Sequence, residues 1–400
     1  MINDQNKNTD PLSSEENLHI SGSSPENIYP NLPSDDSHVG QPRQVPPVWA
    51  DSTSTMLPKP PKRRRRGRTL MLICVAAVFI IAALWIAPML LNGTRHSAII
   101  RIPANADIQT VADTLNKYFG ESYTDNTISL IKLSGVSPAS RHGAYNIPAG
   151  TTPARAARRL TRGAQQPLDI TINGQRTLAQ LADYLSARLD FSADSLINAA
   201  TDPAMLAKYD LTPQQAMALF LNDTYEVYWT VSPDELLDKI GANYSRFWND
   251  KRLAKAKKLG LTPAEILTLC SIVDEESNKA DEKGTIGRLY INRLNQGMKL
   301  QADPTVRYAT GDFTIRRIQG VHLKTQSPYN TYLNKGLPPG PIRTGAPKTV
   351  DLVLDAPDTD ALYMCARSDF SGYHDFASTY SEHQENARRY HKALNVRGIK

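Results

Sequence analysis

Three consecutive acids, Asp274, Glu275 and Glu276, end an apolar stretch that starts at Thr262. The stretch opens with Thr-Pro-Ala-Glu, a pattern that predicts a helix start. The Thr side chain can cap the first turn, Pro fits that turn, and Glu265 can reach back to the cap. We therefore predict a helix that delivers three carboxyl groups at its C-terminal end, where they are candidates for chemistry.

The three acids differ in their angular position on the predicted helix. At about 100° per residue, one broad face carries the apolar side chains Ile266, Leu269, Cys270, Ile272 and Val273. Glu276 and Asp274 fall at the two edges of this face, whereas Glu275 points to solvent. Burial disfavours the charged form of a carboxyl group, so a half-buried acid has a raised pKa, and acid catalysis of glycosidic cleavage needs a protonated acid. The alternative is an acidic helix end on the surface.

The sequence after this helix is rich in polar, aromatic, Gly and Pro residues, which suit a cleft wall better than a core. Its motifs are SIVDEES from 271, NRL from 292, QADPTV from 301, SPYNTY from 327, KGLPPGPI from 335 and GYHDF from 372. In order and spacing these motifs resemble the endolytic murein transglycosylase family, also called MltG or YceG-like. The resemblance is dense between Leu267 and Ile342.

This resemblance implies an α+β catalytic domain in an enzyme of the bacterial cell wall. Members are peptidoglycan lyases that cut the β-1,4 bond between N-acetylmuramic acid and N-acetylglucosamine. They leave a 1,6-anhydromuramic acid end, and the cut is expected to terminate nascent glycan strands. The family's catalytic acid is the second Glu of an E-x-E run, a position held here by Glu276. Asp274 stands in place of the first Glu and is expected to support the acid as a second carboxylate.

One carboxyl group is sufficient for such a reaction. Protonated Glu276 would donate to the leaving oxygen, and the resulting carboxylate would take the proton from the C6 hydroxyl as that hydroxyl attacks C1. A muramidase-type hydrolase is the alternative chemistry and needs a second acid, for which Asp274 and Asp303 are candidates. A third interpretation is a non-catalytic glycan-binding scaffold of the wall-synthesis machinery. The protonatable Glu276 favours an enzyme, because a binding cleft does not need such a group.

Arg293 falls within the apolar stripe of the next predicted helix. A buried arginine needs a partner. That partner could be Glu276, Asp274 or Asp303, in which case Arg293 orients an acid or contacts a substrate amide. The alternative is a structural ion pair.

The resemblance assigns further side chains to the cleft: Gln301, Asp303, Thr305, Tyr329, Asn330 and Tyr332. Each of them could instead hold loop structure, and Asp303-Pro304 alone is typical of a turn start. His374 matches the histidine of the family's Gly-Gly-His-x-Phe pattern and could donate a hydrogen bond to an N-acetyl or peptide carbonyl.

The N-terminal quarter predicts the location of the enzyme. Residues 1–60 are rich in Ser, Asn, Asp and Pro and are expected to form a disordered tail. A basic cluster at 61–68 precedes an uncharged apolar run at 69–91 that is long enough to span a bilayer. Because cationic flanks stay inside, we predict a single-pass helix in the cell (inner) membrane, with a cytoplasmic tail and a periplasmic or extracellular catalytic domain. The net charge of +6 owes much to this cluster, and no nucleic-acid partner is expected.

The remaining chain is long enough for two parts. Residues 97–200 are expected to form a small α+β region, with strands at 99–102, 143–148 and 168–172 and helices at 108–118, 127–133, 153–162 and 178–189. This region, with a connecting subdomain, resembles the family's LysM-like module, which would hold glycan strands; the alternative is a spacer. The catalytic domain is expected at 205–400, closed by a helix at 381–394.

The expected partners are peptidoglycan strands, the membrane and, by resemblance, glycan-polymerising penicillin-binding proteins. No cofactor is expected, and no metal site is expected because no Cys or His pair shows ligand spacing. Cys270 and Cys365 lie in apolar contexts and are expected to be buried free thiols, with a disulfide between them as the alternative.

Overall fold

The computed structural model of this protein describes residues 64–397, in which helices and short strands alternate. The helices are α1 Arg64–Leu91, α2 Ile108–Phe119, α3 Glu121–Ser134, α4 Pro153–Arg162, α5 Leu178–Ser186, α6 Ala193–Ala200, α7 Pro203–Ala207, α8 Pro233–Phe247, α9 Asp250–Lys258, α10 Pro263–Glu276, α11 Ala280–Asn295, α12 Asp303–Thr310, α13 Pro347–Leu354 and α14 Tyr380–Val396. The strands are β1 Ala98–Ile102, β2 Gly143–Ile147, β3 Leu168–Ile172, β4 Asp223–Val227, β5 Tyr363–Ala366 and β6 His374–Ala377. The predicted mixture of helix and sheet is confirmed.

The bounds of most elements follow the predicted ones to within one or two residues. The helix predicted at 127–133 starts earlier, at Glu121. The prediction missed its first turn because that turn is polar and has no apolar periodicity. The helix predicted at 178–189 ends at Ser186. The closing helix, predicted at 381–394, is capped by Thr379, whose side chain accepts from the backbone N–H of Glu382.

A small hydrophobic core lies in the first part of the described chain after α1. Strands β1 and β2 pair antiparallel, with Ile100 opposite Tyr145. Apolar residues of α2, α3 and α4 complete this core, the last of them being Leu160. This unit corresponds to the first part of the α+β region expected at 97–200.

A larger core begins at β3, which pairs antiparallel with β4 so that Ile170 lies opposite Tyr225. The core continues through α5, α6 and α8 to α10, α11 and α13. Because β3 belongs to the first predicted region and β4 to the second, the predicted boundary between residues 200 and 205 falls inside this core. Along the sequence, the residues of the smaller core end at Leu160 and those of the larger core start at Leu168, and the predicted division into domains stays a prediction.

Helix α10 lies within the larger core, and its predicted start is confirmed. Thr262 and Glu265 form a reciprocal capping box, and Pro263 occupies the first turn. The helix is buried on more than one side, since Leu267 and Ser271 are covered as fully as the predicted face. The single apolar face predicted from periodicity was therefore too narrow.

The Gly- and Pro-rich loop at 335–346 covers this additional side of α10. The backbone N–H of Ile342 donates to Ser271 Oγ at 3.0 Å. Gly345 forms a β-bridge with Leu221, and a Cβ atom at position 345 would lie 2.6 Å from the Leu267 side chain. A larger residue would push the loop away, so this glycine lets the loop pack on the helix that carries the acids.

Among the described residues, α1 is the one helix long and apolar enough to cross a membrane, with a candidate span of Gly67–Leu91. Its large apolar side chains are exposed. This span agrees with the run predicted at 69–91. The predicted tail at 1–60 and the start of the basic cluster lie outside the described residues.

Candidate active site

Glu276 is the last residue of α10, and its side chain lines a surface pocket. The residue is half-buried, and Tyr290 on α11 donates a hydrogen bond from its hydroxyl to Glu276 Oε1 at 2.8 Å. The pocket volume of about 220 Å³ is below the roughly 300–1,000 Å³ of a typical small-molecule site. The pocket therefore has room for only a small part of a polymeric ligand.

Helix α11, the loop that precedes α12, and strands β5 and β6 provide most of the other wall residues. They are Leu289, Tyr290, Arg293, Leu300, Gln301, Asp303, Tyr332, Met364, Cys365, Ala366 and His374. Of the residues expected to bind or support substrate, the pocket brings together Arg293, Gln301, Asp303, Tyr332 and His374 with Glu276. The wall thus offers guanidinium, amide, carboxylate, phenol and imidazole groups around one acid.

Burial raises the pKa of Glu276 from 4.5 to about 7. The Tyr290 hydrogen bond and the charge of Arg307 lower this pKa, and the charges of Asp303 and Glu275 raise it. Desolvation prevails. Near neutral pH both forms of Glu276 are therefore populated, and the protonated form can donate its proton.

Asp303 is the first residue of α12, so the predicted turn start is in fact a helix start. The Tyr332 hydroxyl donates to Asp303 Oδ1 at 2.7 Å, which holds this carboxylate at the pocket wall. Burial raises the pKa of Tyr332, and its hydroxyl therefore stays protonated at neutral pH. Arg307 lies one turn further along α12, and its charge partly offsets that of Asp303 at Glu276.

Two substitutions are expected to move the pKa of Glu276 in opposite directions. Tyr290→Phe removes the bond to the carboxylate and should raise the pKa, whereas Asp303→Asn removes a repelling charge and should lower it, each by about half a unit to one unit. The ¹³C shift of the Glu276 carboxyl carbon, followed against pH, measures both. A shift of the same sign in the two variants would contradict this account.

Arg293 is buried on α11 as predicted, but the expected pairing with Glu276, Asp274 or Asp303 is wrong. Its Nε donates to the Leu362 carbonyl at 2.6 Å, and one terminal nitrogen donates to the carbonyls of Lys299 and Leu300 at 3.2 and 2.9 Å. Neutral backbone acceptors therefore replace the expected acid. Arg293 ties the loop before α12 to the start of β5.

Gln301 occupies the left-handed region of backbone conformation with φ of 51°, which is uncommon for a residue other than Gly. Its backbone N–H donates to the Thr331 carbonyl at 3.2 Å, and its side-chain oxygen lies 3.5 Å from Arg293 Nη1. These contacts hold the unusual conformation. They place the amide of Gln301 at the pocket wall.

Three other residues expected in the cleft hold loop structure beside the pocket. Thr305 is fully buried, and its Oγ1 lies 2.7 Å from Thr331 Oγ1. The amide nitrogen of Asn330, also fully buried, donates to the carbonyls of Leu323 and Thr325 at 3.0 and 2.9 Å. Tyr329 packs against the ring of Tyr308, with 4.6 Å between the ring centroids. These side chains shape the wall without lining it.

Asp274 is buried and faces away from the pocket. Its Oδ1 accepts from Thr349 Oγ1 at 2.6 Å and from Lys283 Nζ. This carboxylate therefore ties α10 to α11 and α13. Its expected role as a supporting carboxylate behind Glu276 stays a prediction.

The prediction that Glu275 points to solvent is wrong. Its side chain is only 8% exposed and pairs with two arginines, Arg176 Nη2 at 2.8 Å and Arg343 Nη1 at 3.0 Å. Periodicity placed it outside the apolar face, but the 335–346 loop and the segment between β3 and α5 cover this side of the helix end. The acid is buried because it has charged partners, a condition that a hydropathy pattern does not reveal.

Sequence reasoning missed three groups that act on the site: the Tyr290 hydroxyl, Arg307 and Glu282. Tyr290 lies in the same apolar stripe as Arg293, and a buried tyrosine hydroxyl usually needs a hydrogen-bond partner. Glu282 is 5% exposed and binds His374, as described below. For Arg307, the signal was its spacing of four residues from Asp303, which puts both on one helix face. Cys270 is a buried free thiol, and Cys365 is a free thiol in the pocket wall.

A half-buried acid with a pKa of about 7, at the wall of an open polar and aromatic pocket, has the form of an acid-catalytic centre on a mixed α and β scaffold. The model of the YceG-like family matches residues 100–389, and the chain belongs to this family. The resemblance inferred from the motifs is therefore confirmed.

Individual relatives agree with this assignment. An endolytic murein transglycosylase of Bacillus subtilis (strain 168) is 26% identical over 311 residues, which cover 74% of this chain and 85% of that protein. A protein of the same name from Streptococcus pneumoniae serotype 2 (strain D39) is 30% identical over 137 residues, 33% of this chain and 24% of the pneumococcal one. A crystal structure of a yceG-like protein from Listeria monocytogenes aligns with a TM-score of 0.51 at 23% identity, covering 73% of this chain and 99% of the other, and shows the shared fold.

Proposed function

We propose that this protein is a membrane-anchored endolytic peptidoglycan transglycosylase. It cleaves the β-1,4 bond between N-acetylmuramic acid and N-acetylglucosamine and leaves a 1,6-anhydromuramic acid end. The observation that carries the proposal is Glu276, whose pKa of about 7 lets it act as an acid and then as a base near neutral pH. Membership of the YceG-like family and the names of the relatives support peptidoglycan as the substrate.

The reaction uses Glu276 twice. The protonated carboxyl donates its proton to the glycosidic oxygen while the bond from that oxygen to C1 of the muramic acid breaks. The C6 hydroxyl of the same sugar then forms a bond to C1, and its proton passes to the Glu276 carboxylate, which restores the acid. Tyr290 donates to Oε1 and so stabilises the carboxylate between the two proton transfers.

A hydrolase would need a second acid to activate water or to attack C1. Asp274 is poorly suited to this role, because its carboxylate is buried against Lys283 and Thr349. Asp303 is the remaining candidate from the sequence, and it lines the pocket. In the transglycosylase proposal Asp303 instead raises the pKa of Glu276 and accepts from Tyr332.

The other site residues divide by their contacts. Gln301, Tyr332 and His374 contact substrate, because they line the pocket beside Glu276. Arg293, Thr305, Tyr329 and Asn330 hold the loops that carry those residues. Asp274 fixes the end of α10 through its bonds to neighbouring helices.

The experiment that tests this proposal is digestion of purified peptidoglycan by the full-length protein in detergent, with the new ends identified by mass. We expect anhydromuramic acid ends, with products of internal cleavage from the start of the digestion. Reducing ends would replace the proposal with a hydrolase, and Asp303→Asn would then test Asp303 as the second acid. Binding of glycan strands without cleavage would replace it with the scaffold interpretation.

The proposal also covers the cellular location of the protein and the role of its smaller core. Helix α1 anchors the protein as a single-pass span, and the basic cluster before it favours a cytoplasmic N-terminus with the site on the other side of the membrane. The core of β1, β2, α2, α3 and α4 acts as the LysM-like module that holds glycan near the pocket. Penicillin-binding proteins as partners stay a prediction from the resemblance.

A further inference from the structure

Glu282, in the first turn of α11, is a buried acid whose acceptors face His374. Its Oε2 accepts from the backbone N–H of His374 at 3.0 Å, and its Oε1 lies 2.9 Å from His374 Nδ1. Oε1 also accepts from Ser277 Oγ at 2.6 Å. In the part of the chain that the structure describes, His374 is the ionisable side chain that contacts the Glu282 carboxylate. One carboxylate thus holds both the backbone and the ring of this histidine.

These contacts fix which ring nitrogen carries the proton. A carboxylate only accepts hydrogen bonds, so the imidazole nitrogen that faces it must be the donor. His374 Nδ1 therefore carries the hydrogen, and in the neutral ring Nε2 presents a lone pair. A carboxylate sets the tautomer of metal-binding and catalytic histidines in the same way.

The free edge of this ring belongs to the site. His374 lines the same pocket as Glu276, with 17% of its side chain exposed. Nδ1 is covered by Glu282, and no described side chain or carbonyl binds Nε2. The pocket therefore presents one acceptor nitrogen, held in place by a buried acid on the helix next to α10.

We infer that Glu282 is a positioning residue that holds His374 as a hydrogen-bond acceptor for an acetamido N–H or a hydroxyl of the bound amino sugar. The inference rests on the proposed function, since it assigns a substrate contact within that site. It reverses the direction expected from the sequence, in which His374 donates to a carbonyl. A substrate carbonyl opposite Nε2 would meet a lone pair and be repelled.

The first measurement is direct. In the full-length protein in detergent, with ¹⁵N-labelled histidine and at a pH where the ring is neutral, the ring nitrogen shifts report which nitrogen is protonated. The signal is assigned through the peptide bond to Asp375, because His374-Asp375 is the only His-Asp step in the sequence. We expect Nδ1 to be protonated and Nε2 to be bare. A proton on Nε2 in the wild type overturns the inference without any variant.

Glu282→Gln is the variant that tests positioning. The glutamine side chain has one acceptor oxygen, and the backbone N–H of His374 needs it because that group can only donate. The amide N–H of the glutamine then faces Nδ1, which must accept, so the ring proton moves to Nε2. We expect this tautomer change in the spectrum and a 10- to 100-fold loss of kcat/KM on peptidoglycan, seen mainly in KM. Glu385 is an exposed residue on α14, and Glu385→Gln removes the same charge. This control variant should change neither the tautomer of His374 nor kcat/KM.

A double-mutant cycle separates positioning from general support of the fold. His374→Gln alone should cost as much as Glu282→Gln, and the double variant no more than about threefold beyond either, because the two residues act through one contact. If the fold-loss of the double variant equals the product of the two single fold-losses, the residues act independently and the inference is overturned. If the wild type binds glycan but does not cleave it, the proposed function fails, and the same cycle is measured on the Kd for purified glycan strands, where the coupling still decides the role of Glu282.

Discussion

Glu276→Gln is expected to lower the turnover of peptidoglycan by about 10²- to 10⁴-fold, the usual contribution of a positioned acid. The amide has nearly the same shape, and its oxygen can still accept the Tyr290 hydrogen bond. It has no proton that it can give to the leaving oxygen. Binding of glycan strands should therefore survive while cleavage is lost, as measured by strand affinity beside the rate of release of anhydro ends.

The same variant should gain stability at alkaline pH. The folded-state pKa of Glu276, about 7, lies above its ordinary value of 4.5. Below pH 4.5 the Glu276 carboxyl is protonated in both the folded and the unfolded protein, so it does not lower the free energy of unfolding. Between pH 4.5 and 7 it ionises more readily in the unfolded protein, and the folded state loses stability. Above pH 7 this loss is complete. Removing the charge should add about 2 to 3 kcal/mol to the free energy of unfolding at pH 8 and almost nothing at pH 4.

Chemical denaturation at the two pH values checks this pattern. A variant that lost activity together with stability would point to a damaged fold and would contradict the assignment of Glu276 as the acid. Tyr290→Phe is the companion variant, because it disturbs the same carboxyl group without removing its proton. It should keep measurable turnover.

The helix that carries the site was predictable because its signals are local. The capping box at Thr262, the apolar run and the closing acids specify α10 within one segment, and the motifs that follow specify the pocket wall by order alone. Glu276 was found for the same reason. For Glu276 the main cause of the raised pKa is burial, which a position at the edge of an apolar face already predicts.

The partners of charged groups were not predictable, because they come from distant parts of the chain. Arg293 is satisfied by carbonyls, among them that of Leu362, 69 residues away. Glu275 meets Arg176, 99 residues away, and Arg343, 68 residues away. Periodicity predicts which side of a helix is apolar. A polar side can still be buried when loops cover it and arginines pair with its acids, and periodicity does not reveal this.

Glu275→Gln is expected to have the opposite effect to Glu276→Gln, although the two residues are adjacent. Glu275 accepts from Arg176 at 2.8 Å and from Arg343 at 3.0 Å, and its side chain is 8% exposed. Removing its charge leaves two guanidinium groups facing each other across an amide. Breaking a buried pair costs about 3 to 5 kcal/mol. Because Arg176 and Arg343 are 35% and 21% exposed, we expect a smaller loss of about 2 to 3 kcal/mol.

Two further variants show whether this loss comes from the ion pairs. Arg343→Gln should be destabilising alone, and the double variant should cost less than the two single losses together, because the pair has already been broken. Asp238→Asn is the matched control: its pair with Lys208 spans 3.7 Å between residues that are 68% and 60% exposed, and the loss should stay within about 0.5 kcal/mol. An equal loss in Glu275→Gln and Asp238→Asn would contradict a buried charge cluster at the end of α10. Retained cleavage by Glu275→Gln at a temperature where it is folded would separate the acid that holds the helix end from the acid that reacts.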